Sequence, residues 1–204
     1  MAHDLTETPL TSFLDRIAER APTPGGGSVA AVVGALSASL ARMVAAYSTR
    51  KNQAPSPAVA AIVERLHQTD TILRELIDAD AAAYEAMTAA RRAAKSDPTA
   101  AAKYQVAVWT GIGVPMQVAA AAAESLITME ELTAHANKHL LSDLGVAAVL
   151  AAATARAARF MVLVNLPELA DASRRDRLRG DADRLVEQCE SRSKAIEAVV
   201  RERP

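Results

Sequence analysis

The stretch Pro22-Thr23-Pro24-Gly25-Gly26-Gly27-Ser28-Val29-Ala30-Ala31 constrains this chain more than any other. Two prolines and three consecutive glycines stop whatever precedes them, because proline lacks a backbone donor and glycine disfavours helix. An apolar run follows at once, from residue 29 to about 47. Its Val29, Val32, Val33, Leu36, Leu40, Met43 and Val44 leave no polar face. A helix apolar nearly all round belongs in the centre of a bundle or in an oligomer interface. Gly34, Ala35, Ser37, Ala38 and Ser39 let neighbours pack tightly. Gly25 to Gly27 can adopt positive φ and bare the backbone, and Ser28 stands where an N-cap or first-turn residue would stand. Free N–H groups at such a helix start attract anions or developing negative charge. The stretch is therefore the first place to look for a ligand, and it reads equally as a purely structural turn. It is no Walker loop, since no Gly-Lys-Ser/Thr follows.

A chain of 204 residues can bury a proper core. Half of the residues are hydrophobic (50%) but only 3% are aromatic, so the apolar mass is alanine with Val, Leu and Ile. Alanine is the best helix former. Gly and Pro cluster at a few points instead of recurring as hairpin turns would, which argues for an all-α fold. The net charge of -1, with no basic arm, argues against nucleic acid. The lone Cys189 excludes an intrachain disulfide framework and fits a reducing compartment. The opening Met1-Ala2-His3-Asp4 has neither the basic nor the apolar part of a signal peptide. The apolar runs 111–123 and 145–155 fall short of the ~20 residues that cross a bilayer. A soluble cytoplasmic protein with no membrane partner is expected.

Leu10, Phe13, Leu14, Ile17 and Ala18 predict a first amphipathic helix, with Thr11 or Ser12 as its cap. The Gly-rich turn opens the second. After the linker Ala54-Pro55-Ser56-Pro57, a long helix runs from about 58 to 95 on the stripe Val59, Ile62, Leu66, Leu73, Leu76, Ile77, Tyr84 and Met87. Asp80 and Asp70 lie on that apolar face; Asp78 falls off it. A buried aspartate is costly unless it is paired or functional. Asp80 is the better functional candidate, against the alternative of a satisfied core hydrogen bond. Ser96-Asp97-Pro98 restarts the chain, and Gly111, Gly113 and Pro115 predict a kink or break in the next helix.

Glu131, His135, His139 and Asp143 recur at intervals of four and would form one polar stripe on an unbroken helix. His-x-x-x-His can bind a metal. A solvated face, with a new helix at Ser142 breaking the register, is the favoured reading. Ser142-Asp143-Leu144-Gly145 reads as a helix start, where Asp143 suits the helix dipole and leads directly into an apolar run. Asn165-Leu166-Pro167 ends that helix. A last amphipathic helix spans about 173 to 201, its charged side solvated. These helices make one antiparallel bundle over residues 1–204, in a single domain, and the faceless second helix suggests a homodimer.

Three separated segments together resemble one family: Ala21 to Ala31 around the Gly-rich turn; Asp80, Tyr84 and Met87; and Ser142-Asp143-Leu144-Gly145-Val146-Ala147-Ala148 with Asn165-Leu166 downstream. The chain is similar to the cyclodeaminase/cyclohydrolase family, which joins the C-terminal domain of formiminotransferase-cyclodeaminase to stand-alone bacterial methenyltetrahydrofolate cyclohydrolases. The resemblance implies an all-helical homodimer with its tetrahydrofolate site near the subunit interface. It implies no metal and no cofactor beyond the folate substrate. The family's Gly-Lys-Lys segment after the second helix is here Thr49-Arg50-Lys51, and its Gly-Asn-x-Asn run before Ser-Asp is here Ala136-Asn137-Lys138-His139-Leu140-Leu141.

Position and resemblance together make Asp143 and Asp80 the expected catalytic pair. Asp143 would act as acid/base or electrostatic partner; Asp80 would share that work or hold the pterin amino edge. Gly25, Gly26, Gly27, Ser28 and Ser142 would bind substrate, with Lys51 pairing with the glutamate tail. A carboxylate-rich pocket disfavours phosphate and favours a cationic one-carbon bridge. The expected reaction is hydrolysis of 5,10-methenyltetrahydrofolate to 10-formyltetrahydrofolate, favoured because no formiminotransferase domain accompanies the chain. The alternatives are formiminotetrahydrofolate cyclodeaminase, which releases ammonia, and a non-catalytic helical ligand-binding or scaffold protein.

Overall fold

The computed structural model describes residues 4–49 and 53–202. Six α-helices stand among them: α1 (Leu10–Ala18), α2 (Gly26–Tyr47), α3 (Pro57–Ser96), α4 (Ala101–Leu132), α5 (Leu141–Asn165) and α6 (Ala172–Glu202). Single 3-10 turns occupy Pro98–Ala100, Lys138–Leu140 and Leu166–Glu168, and no strand occurs among the described residues. The expected all-α architecture of long helices is the one found.

Local chemistry sets most boundaries. Ser56 accepts the Val59 N–H at 3.3 Å with Pro57 in the first turn, so the long helix starts at the end of its proline linker. Asp97 accepts the Thr99 N–H at 2.9 Å, and Asp171 accepts the Arg174 N–H at 3.0 Å ahead of α6. The start of α1 departs from expectation. Pro9 precedes it without a side-chain cap, and Thr11 and Ser12 fall inside its first turn.

The helices α2, α3, α4 and α5 close a ring, each packed on the next, and α6 lies along α4 and α5. Contacts run antiparallel between α2 and α3, from Ser28 at Ile77 to Ser39 at Asp70. They run antiparallel again between α2 and α5, from Gly26 at Met161 through Gly34 at Thr154 to Ser37 at Ala147. Alanine lines these contacts: Ala31, Ala38, Ala41, Ala147, Ala151 and Ala155 are fully buried. At Gly34 even a methyl group would stand 2.8 Å from Leu73 Cδ2, so α2 approaches α3 more closely there than any side chain allows. Asp70, 2% exposed, is paired in full: Arg42 donates to Oδ2, and Arg74 Nε (3.0 Å) and Ser39 Oγ (3.1 Å) donate to Oδ1. This satisfies the price of its burial structurally.

Helix α4 corrects the expected break, for it runs through Gly111, Gly113 and Pro115 as one helix. Proline lacks the N–H that would reach the carbonyl four residues back, which orphans Gly111 O. Asn165, at the end of α5, donates its Nδ2–H to that oxygen at 2.8 Å. A Cβ on Gly111 would press on Met87 Sδ at 3.2 Å but would stand at an ordinary 3.7 Å from Asn165 Nδ2.

The polar stripe from Glu131 to Asp143 is not one face. Leu132 ends α4, a 3-10 turn intervenes, and α5 starts a new register. Glu131 is bound by Arg65, at 3.0 Å to Oε1. Among the described residues no group of three or more His, Cys, Asp or Glu could hold a metal ion. The apolar runs also need correction. They lie inside helices 98–132 and 138–168, which with 26–47 are long and apolar enough to cross a membrane by length and composition. Only 44–56% of each apolar window is buried within the bundle. Large apolar side chains are exposed on all three: Leu36 and Tyr47 on α2, Val106 and Trp109 on α4, and Val146, Val149, Phe160 and Val164 on α5.

The α4 repair is testable by a double-mutant cycle. Asn165→Ala should cost about 1–3 kcal/mol in chemical denaturation, since it strands a buried carbonyl. In a Pro115→Ala background, where residue 115 regains its N–H, the same substitution should cost less than half as much.

Candidate active site

A cavity of about 380 Å³ opens at the end of the bundle where α2 begins and α5 finishes. Asp80, Tyr84, Met87 and Arg91 line one wall of it. Their spacing of four, three and four puts them on a single face of α3. Thr23 and Gly25 to Gly27 form the opposite lip, and Met161, Asn165 and Glu168 close the α5 side.

The lip is built by backbone approach. Gly25 caps α2 in extended conformation, and the Val29 N–H is the first to bond within the helix, to Gly25 O at 3.0 Å. The N–H groups of Gly26 and Gly27 precede it and have no helical acceptor. None of the described glycines has positive φ, so the turn does not use the left-handed freedom expected of it. It uses the absence of side chains. A Cβ on Gly27 would sit 1.9 Å from Asp80 Oδ1, so the carboxyl group rests on bare backbone.

Of the two positions expected for it, Ser28 takes the first turn and not the cap: it is the third residue of α2, and it is completely buried. Its hydroxyl lies 2.9 Å from Ile77 O and 3.2 Å from Asp80 Oδ2. One hydroxyl proton faces two acceptors. If Asp80 is ionised, the hydroxyl is shared between them and the Ser28 backbone N–H also supports the charge. If Asp80 is protonated, its own O–H can donate to Ser28 Oγ while the hydroxyl serves Ile77 O. The site thus accommodates both protonation states. Burial pushes the Asp80 pKa up, and the two Ser28 hydrogen bonds pull it partly back.

A second carboxylate stands on the 3-10 turn after α5. Tyr104 donates its hydroxyl to Glu168 Oε2, and Arg91 lies 3.5 Å from Oε1. Burial, together with the hydrogen bond to Glu168, pushes the Tyr104 pKa up to about 12, which keeps the phenol a proton donor at neutral pH. Sequence reasoning missed Glu168, Arg91 and Tyr104. Arg91 carried a signal, since it continues the spacing of Asp80, Tyr84 and Met87; Glu168 carried none beyond following a helix end.

The expected site residues divide between two ends of the molecule. Gly25, Gly26, Gly27, Ser28 and Asp80 meet as expected. Asp143 and Ser142 do not line this cavity. They occupy the first turn of α5, whose last residue is Asn165, about 33 Å away at 1.5 Å per residue. Ser142 borders a separate apolar groove with Val146, Val149 and Val200. Within one chain, α2 and α5 are antiparallel neighbours whose starts face opposite ways, so a single subunit does not bring Asp80 and Asp143 into one pocket. Lys51 lies outside the described residues.

Comparison with known proteins agrees with this fold. A family model described as formiminotransferase-cyclodeaminase matches residues 9–184. The formimidoyltransferase-cyclodeaminase of Rattus norvegicus is 29% identical over 94% of this chain, and the chain spans only 37% of that protein's length. The methenyltetrahydrofolate cyclohydrolase of Methylorubrum extorquens is 31% identical, with 79% of this chain and 81% of that protein covered. The crystal structure of formiminotetrahydrofolate cyclodeaminase from Thermotoga maritima superposes with a TM-score of 0.87 at 30% identity, covering 98% of both chains. A helical ring that agrees along almost its whole length, and a family match that takes in the Gly-rich lip, Asp80 and Glu168 alike, make this chain a member of the formiminotransferase-cyclodeaminase family.

Proposed function

We propose that the cavity binds a reduced folate whose one-carbon unit bridges N5 and N10, and that the protein hydrolyses 5,10-methenyltetrahydrofolate to 10-formyltetrahydrofolate. The observation that carries this reading is the Asp80 carboxyl, held between bare glycine backbone and Ser28 in a setting that serves both of its protonation states. The methenyl bridge is a cation. An ionised carboxylate beside it stabilises the charge and accepts a proton from the attacking water as its oxygen bonds to the bridge carbon. The carbon–N5 bond then breaks, its electron pair stays on N5, and N5 takes up a proton that Asp80 can return. The hydroxyl on the former bridge carbon loses its proton as the formyl C=O forms, so one proton is released overall. A pKa that burial pushes above the ordinary carboxylate range makes the proton easier to hold between acceptance and return.

A second reading is cyclodeaminase activity, in which N10 attacks a formimino carbon and ammonia departs. The likeness to the Thermotoga maritima enzyme favours it, and the same acid/base group would serve. A paired assay separates the two: loss of the methenyl chromophore marks the hydrolase, and ammonia release from formiminotetrahydrofolate marks the deaminase.

We also propose that the functional unit is a soluble, cytoplasmic homodimer in which a second copy, not lipid, covers the exposed apolar residues of α2 and α5. A two-fold axis crossing α5 near Ala153 would run the two α5 helices antiparallel, pairing Val146 with Phe160 of the other subunit. Asp143 and Ser142 of each subunit would then approach the Asp80 cavity of the other, giving Asp143 its electrostatic role in trans.

Asp80→Asn should lower turnover of methenyltetrahydrofolate by about 10²–10⁴-fold. Because burial raises the Asp80 pKa, the folded protein holds that proton more tightly than the unfolded chain does. Folding stability is therefore lost as pH rises from the ordinary carboxylate range to the folded pKa. The Asn variant should melt higher than wild type at pH 7, and the gap should close as pH falls to the ordinary carboxylate range. Asp80→Asn and Asp143→Asn should each be strongly impaired alone. Mixed after unfolding and refolding, they should recover about a quarter of wild-type activity, since half the dimers are hybrids with one of two sites intact. No recovery from two folded variants would overturn the site shared between subunits.

A further inference from the structure

Two carboxylates face the cavity, and the chemistry described so far uses one. Glu168 is held with more care than a solvated acid needs. Gln105 brackets its backbone, donating to Glu168 O at 3.1 Å and accepting the Ala170 N–H at 2.8 Å. Tyr104 takes one lone pair of Oε2, and Arg91 stands off Oε1 at 3.5 Å. A carboxylate offers about four acceptor positions, so each oxygen keeps one open. The side chain remains 38% exposed and that of Arg91 44%, both in the lining of the cavity. The result is two parallel acceptors with a guanidinium donor beside them.

We propose that Glu168 and Arg91 read the aminopyrimidinone edge of the pteridine ring. That edge presents, in order, the 2-amino N–H, the N3–H and the 4-oxo oxygen: donor, donor, acceptor. Glu168 accepts the two donors and Arg91 donates to the oxygen. Asp80 stands eleven residues from Arg91 on the same face of α3, about 16 Å along the helix at 1.5 Å per residue, and the two side chains bracket a flat ring with its reactive bridge at the Asp80 end. This assigns recognition to Glu168 and leaves Asp80 for proton transfer, instead of giving Asp80 both tasks. It rests on the folate reading above and names the part of the ligand that selects the site.

The test compares 5-formyltetrahydrofolate with its 2-desamino analogue in equilibrium binding to the whole protein. Wild type should bind the analogue at least about 10-fold more weakly, because one charged hydrogen bond goes unmade. Glu168→Gln should weaken the parent by a similar factor and no longer discriminate between the two. Unaltered discrimination in Glu168→Gln, or an equal loss for both ligands with the preference retained, overturns the assignment. Wild type that binds both ligands equally overturns it without any variant, which covers the case of Glu168→Gln failing to fold. Wild type that binds neither ligand overturns the folate reading itself and this inference with it.

Discussion

The contact on which the rest of the site depends is the Asp80 carboxyl seated on the first turn of α2. It needs a glycine at 27, since any Cβ would enter the carboxyl group. It needs Ser28 buried and aimed across at α3, which in turn requires α2 and α3 to run antiparallel at close range. That range is set farther along the same pair, at Gly34 against Leu73 and at Asp70 bound by Arg42 and Ser39. The alanine-rich composition thus bears directly on chemistry. Small residues bring the helices near enough for a backbone N–H and a hydroxyl of one to address a carboxylate of the other.

The burial of Asp80 has an energetic sense. A carboxyl group taken partly out of water prefers to be neutral, and Ser28 restores some of the balance through its N–H and O–H. Asp70, more deeply buried on the same helix, meets two arginines and a serine instead. Two aspartates from one apolar stripe therefore have opposite fates. One is locked into the scaffold by full pairing, and the other is left with a proton to gain or lose beside an open cavity.

Much of this was legible in the amino acids. The helix count and the start of α3 just after its proline linker follow from periodicity and proline chemistry, and the choice of Asp80 from the cost of an acid on an apolar face; its meeting with the Gly-rich turn was implied by the family resemblance. What was not legible depends on three-dimensional direction. Asp143 and Ser28 both sit at helix starts, and nothing in linear spacing says that the two helices point opposite ways. Pro115 reads as a breaker because its repair comes from Asn165, fifty positions later, which reads only as a helix end. Glu168 is unremarkable in sequence because its setting is made by Tyr104, Gln105 and Arg91 from two other helices.

The Asn165 amide has a further consequence, for the order in which such a chain can change. As long as proline occupies position 115, the Gly111 carbonyl needs an external donor, and Asn165 supplies it from the rim of the cavity. Losing the proline first is permissive, because the helix then closes its own bond and frees the amide for other use. Losing the asparagine first is not. The two positions are thus epistatic with a preferred direction: a line of descent that remodels the α5 side of this pocket passes most easily through a helix that has already given up its proline.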